Sequence, residues 1–81
     1  MELKDTIDKM NSTDYKERFI AEYEQVRIRR TKLASMIEKY RMGTLDFEPT
    51  TPIGILMTQV AIMDSYCLLL KQRAILENIE L

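Results

Sequence analysis

An 81-residue chain is one small domain at most, and it is marginal unless it is well idealised or associates with other copies. Its formal net charge of −1, with 31 % charged residues, supplies no overall basic field to draw in DNA or RNA. Histidine is absent and Cys67 is the single cysteine, which excludes an internal disulfide and a Cys–His nucleophile and suits a reducing compartment, the cytoplasm.

Only two Gly and two Pro interrupt a chain that is 46 % hydrophobic, much of it Leu, Ile and Met, so a few long helices are expected rather than many strands. Residues 1–12 place Leu3, Ile7 and Met10 on one face of a short helix, which Asn11-Ser12-Thr13 ends. This stretch alternates charged and apolar residues and lacks the apolar core of a signal peptide. So short a helix holds only if it docks on something else.

A first long helix is expected over residues 14–41. Asp14 is the N-cap, Glu17 stands where a capping-box partner belongs, and Gly43 is a natural stop. Phe19, Tyr23, Val26, Arg30, Leu33, Ile37 and Tyr40 follow at steps of four and three, the seam of a packed antiparallel pair. Residues 42–51 are too polar for helix, with Pro49 favouring extended backbone at Glu48. Phe47 is expected to tuck this loop back onto the helices.

A second long helix is expected over 52–79, with Thr51 as N-cap and Pro52 in the first turn. It carries two apolar stripes. The first is Leu56, Val60, Met63, Cys67, Leu70 and Ala74. The second is Ile55, Ile62, Leu69 and Leu76, flanked by Tyr66 and Arg73. One partner helix covers one stripe, so the other calls for further copies. The expected fold is therefore all-α: an antiparallel hairpin of two long helices plus a short N-terminal helix, assembling into a homo-oligomer about the second long helix. Gln59 and Asp64 break its apolar run and Lys71 and Arg73 follow it, which argues against a membrane span.

No metal-ligand spacing, glycine-rich phosphate loop or Ser-His-Asp set is visible, so neither an enzyme nor a cofactor is expected. The conspicuous cluster is Arg27-Ile28-Arg29-Arg30-Thr31-Lys32. Arg30 interrupts the apolar seam, where a cation is costly unless paired. Either an acidic residue of another subunit or a phosphate satisfies that need, arginine's planar fork being matched to phosphate oxygens. Arg73 poses the same question on the second long helix. Tyr15 stands at the start of the first, where free backbone N–H groups favour an anion.

Tyr15-Lys16-Glu17-Arg18-Phe19-Ile20-Ala21-Glu22-Tyr23, Thr31-Lys32-Leu33, Met36-Ile37, Gly43-Thr44-Leu45-Asp46-Phe47-Glu48-Pro49-Thr50, Pro52-Ile53, Gln59, Met63, Tyr66 and the Leu70 to Arg73 stretch carry a resemblance. Over about residues 14 to 81 the chain resembles the helical-hairpin domain shared by phage anti-CBASS and anti-Thoeris sponge proteins. No β-rich N-terminal extension of the anti-Thoeris type is seen, which brings the resemblance nearer the all-helical branch. The resemblance implies a homo-oligomer, typically a hexamer, that traps cyclic oligonucleotides or cyclic ADP-ribose derivatives between subunits in the host cell cytoplasm without cleaving them. It further implies ligand-binding roles: Tyr15 stacks on a base, Lys32 contacts phosphate with Arg30 close by, and Arg73 serves a further pocket. Arg18, one turn after Tyr15, belongs to the same candidate set. The alternative reading is a structural or adaptor hairpin with no small ligand.

Overall fold

The computed structural model describes all 81 residues, with three α-helices and no strand. A 3-10 turn, Leu3–Thr6, runs directly into α1, Ile7–Met10; α2 spans Tyr15–Met42 and α3 spans Ile53–Leu76. The two long helices lie against each other as a hairpin, giving a molecule of 43 × 24 × 17 Å.

The start of α2 is fixed by two short polar side chains. Asp14 Oδ1 accepts from the Lys16 N–H at 3.0 Å, while the Asp14 N–H donates to Ser12 Oγ at 3.0 Å. Ser12 thus takes the reciprocal role that the sequence assigns to Glu17, because a hydroxyl two residues upstream reaches that N–H without bending the first turn. Gly43 closes α2 in the left-handed conformation, φ 75°, with Gly43 N–H donating to the Tyr40 carbonyl and Thr44 N–H to that of Lys39. That pair of bonds is a Schellman motif, and it satisfies carbonyls that would otherwise end unpaired.

Two boundaries differ from expectation. Pro52, not Thr51, is the N-cap of α3, and its carbonyl accepts from the Ile55 and Leu56 N–H groups. The helix also stops at Leu76 rather than continuing to residue 79. Asn78 adopts φ 57°, and the Ile79 N–H donates to the Ala74 carbonyl at 2.8 Å. Asparagine is among the few non-glycine residues that enter this region readily, so a second Schellman-type turn folds Ile79 back onto the core. Asn78→Val should cost about 1–2 kcal/mol, the strain of a β-branched residue in left-handed backbone. Asn78→Gly should be nearly neutral, and thermal unfolding followed by circular dichroism distinguishes the two.

The core is small and lies at the Tyr15 end of the hairpin. Phe19 of α2 packs with Leu70 and Ala74 of α3 and with Ile79, and Ile20 and Tyr23 rest against the group. The first α3 stripe is turned inward as expected: Leu56, Val60, Met63 and Cys67 are half-buried, and Leu70 and Ala74 are fully buried. A second face of α2, Ala21, Gln25 and Ile28, carries the N-terminal segment. Thr6 is wholly buried there, donating to the Leu3 carbonyl at 2.7 Å and accepting from Gln25 Nε2 at 2.9 Å. Docking, rather than intrinsic propensity, holds this short piece helical.

The second α3 stripe is left uncovered. Ile55, Ile62, Leu69 and Leu76 are all more than half exposed. By length and composition α3 is apolar enough to cross a membrane, with a mean hydropathy of 1.7 in its most apolar stretch even though Gln59 and Asp64 interrupt it. Only 6 % of that stretch is buried, so one chain does not enclose it as a core helix. Phe47 also departs from expectation: it stays 54 % exposed instead of tucking under the loop.

Candidate ligand-binding site

At the Tyr15 end, two stripes face one another across the hairpin. On α2 they are Tyr15, Arg18, Phe19 and Glu22, spaced over two turns; on α3 they are Tyr66 and Arg73, seven residues apart. The Arg73 guanidinium lies over the Phe19 ring, 4.9 Å from its centre, and its Nε donates to Glu77 at 3.0 Å. Stacking on an aromatic face and pairing with a carboxylate hold a flexible side chain in one place. The Tyr66 hydroxyl donates to Glu22, and this hydrogen bond raises the phenol above its ordinary value near 10. That contribution to the interface is present below the unfolded tyrosine's ordinary value and is lost as pH climbs through the higher folded one.

Tyr15 itself is half exposed, at the mouth of α2, with its ring free to receive a flat partner. Arg18 donates from Nη1 to the Ser12 carbonyl at 2.8 Å, so it braces the turn before α2. The hairpin therefore brings Tyr15, Arg18 and Arg73 to one end of the molecule.

Arg30 and Lys32 lie elsewhere. At about 1.5 Å per residue, Lys32 is about 25 Å from Tyr15 along α2, too far for one nucleotide to touch both within a single copy. Arg30, for which the sequence left a subunit acid or a phosphate open, is met by Asp64 of its own chain. The contact is a fork, Nε to Oδ1 at 2.6 Å and Nη2 to Oδ2 at 3.3 Å, and it makes the guanidinium hold its proton still more firmly. Lys32 Nζ sits 2.9 Å from Glu2 Oε2 of the N-terminal segment. Cys67, near Arg30 and Asp64, is pushed up by burial, and so stays a neutral thiol.

Lys32 also borders a groove of about 690 Å³ formed where the Gly43 turn folds beside α2. Thr31, Ser35, Lys39, Thr44 and Phe47 share its wall, so two ammonium groups a heptad apart meet three hydroxyls and an aromatic ring. The sequence places Phe19 in the apolar seam and does not single out Lys39, Phe19 or Glu22 as site residues. Lys39 and Lys32 are seven apart and were detectable by spacing, whereas the Phe19–Arg73 and Glu22–Tyr66 contacts depend on the register of the hairpin.

No three His, Cys, Asp or Glu side chains gather into a metal-binding group. The arrangement is one of aromatic faces and oriented cations on a helical hairpin. The Sequestin family profile matches residues 13–76, and the chain belongs to that family, the sponge family of phage anti-defence proteins. The family name denotes sequestering a ligand rather than converting it. Neither a curated protein nor a solved structure matches the chain.

Proposed function

We propose that this protein is a sponge for cyclic-nucleotide immune signals. It binds a cyclic di- or trinucleotide, or a cyclic ADP-ribose derivative, between copies of a homo-oligomer and holds it uncleaved, starving host defence effectors in the host cell cytoplasm. The observation that carries this reading is the Sequestin match across residues 13–76. Tyr15 supplies the stacking face, and Arg18 and Arg73 supply charge at the same end. Lys32 contacts phosphate from another copy, and Arg30 is held by Asp64 as a positioning residue. The separation of Tyr15 and Lys32 along α2 supports a site shared between copies, and a hexamer is the assembly we expect.

Isothermal titration calorimetry against cyclic dinucleotides, cyclic trinucleotides and cyclic ADP-ribose isomers tests the proposal, with the ligand recovered after denaturing the protein. Saturable binding and intact ligand are expected. A folded protein silent across the whole panel, or a ligand recovered as a cleaved product, overturns it.

In the resting protein Glu2 occupies the lysine that is to hold phosphate. Glu2→Gln should therefore tighten binding about two- to five-fold, the scale of an exposed ion pair. An unchanged dissociation constant would remove Lys32 from the site.

A structural or adaptor hairpin is the second reading, and one observation favours it: Arg30, Lys32 and Arg73 each have a carboxylate of the same chain as partner. Under that reading no nucleotide binds.

A further inference from the structure

The exposed stripe on α3 is its own complement. Ile55, Ile62, Leu69 and Leu76 recur every seven residues with Thr58, Ser65 and Gln72 between them, so the seam carries no charge from end to end. Its midpoint falls beside Ser65. The two ends differ in shape. At one, Leu76 and Ile75 are the most exposed apolar side chains of the chain, 82 % and 77 % open to solvent. At the other, Gly54, Ile55, Thr58 and Ile62 border a hollow of about 700 Å³, and a Cβ added to Gly54 would meet nothing within 4 Å. A projection and a hollow at opposite ends of one uncharged stripe are what a two-fold contact between identical surfaces needs.

We propose that two copies of this chain pair antiparallel through α3, the Leu76 of each seated in the hollow beside Gly54 of the other, with the two-fold axis passing at Ser65. This rests on the oligomeric reading above and adds to it the surface, the direction and the register. Reversing one copy about the midpoint sets Leu69 over Ile62 and Ser65 of the second copy, so apolar side chains meet one another along the seam. It also brings Thr58 of the second copy alongside Arg73, which adds an aliphatic hydroxyl to the ligand patch. A bilayer fits the stripe less well. The charged surface of α2 runs beside it, and the Arg73–Glu77 pair sits at its edge, whereas a second copy meets an uncharged seam with an uncharged seam.

The test uses the full chain with Cys67→Ser, so that an introduced thiol stands alone. Ser65→Cys should yield a covalent dimer under mild oxidation, while Ser35→Cys, exposed on α2, should yield none. Gly54→Trp places an indole in the hollow, and its Cβ meets no atom of its own chain within 4 Å. It should lower the mass measured by light scattering at micromolar concentration while helicity is retained. Equal cross-linking at both positions, an unchanged mass for Gly54→Trp, or a monomer that floats with phosphatidylcholine vesicles overturns the proposal. The sponge reading fails separately. A protein that binds cyclic nucleotide but does not cross-link at Ser65 has lost only this register. One that cross-links at Ser65 and binds nothing keeps the register and loses the sponge.

Discussion

Replacing Tyr15 by alanine is expected to weaken binding of the cyclic nucleotide by about 5- to 150-fold, since stacking of a base on an aromatic ring is worth about 1–3 kcal/mol. The oligomer should survive, because the ring is half exposed and takes no part in the core formed by Phe19, Leu70, Ala74 and Ile79. Calorimetry gives the affinity and light scattering the assembly. Tyr15→Phe is the informative companion. A flat face without the hydroxyl keeps the stack, so its affinity should stay within a few-fold of the parent. If Tyr15→Ala binds as tightly as the parent, the base sits elsewhere, and the groove bordered by Lys32, Lys39 and Phe47 becomes the place to look.

Leu70→Ala should be the most damaging single change to the fold. Leu70 is 1 % exposed and sits at the centre of the one cluster that joins α2, α3 and the returning Ile79. Truncating a buried leucine costs about 2–5 kcal/mol through lost transfer energy and the cavity left behind. In so small a core that is a large share of what a domain of this size has to spare. We expect unfolding at markedly lower denaturant concentration, with ligand binding lost in proportion to the unfolded fraction. Leu69→Ala, next along the chain but on the exposed stripe, should leave the hairpin's own contacts in place. Its effect should be read in the assembly instead. The two variants therefore separate folding from association, provided each is measured across a range of protein concentrations.

Much of the architecture was legible because helical spacing is a one-dimensional signal. The seam from Phe19 to Tyr40, the Gly43 stop and the two stripes of α3 all follow from counting threes and fours. What was not legible depends on how one helix is set against another. Arg30 stood out as a cation in an apolar seam, yet its partner Asp64 lies on the far side of the loop, and only the hairpin register brings them together. The same holds for Arg73 over Phe19. The N-terminal segment was readable as a short helix in need of a dock. Its dock was not readable, because Gln25 reads as a solvent-facing residue until Thr6 is found beside it. Asn78 closes a helical pattern in the sequence, and its left-handed backbone reflects a tertiary demand, the burial of Ile79.

The carboxylates beside Arg30, Lys32 and Arg73 have a consequence for how the protein behaves in a crowded cell. Each cation already has a carboxylate within ion-pair distance. Binding to a polyanion such as RNA is driven largely by release of the cations condensed on the polyanion as protein cations neutralise its phosphates, and these three cations would first have to leave a carboxylate. Exchanging those carboxylates for the phosphates of a long nucleic acid gains little at these three positions. A small ligand is different, since a preformed pocket can replace a carboxylate with a phosphate one contact at a time. Its affinity should consequently change little between low and physiological ionic strength.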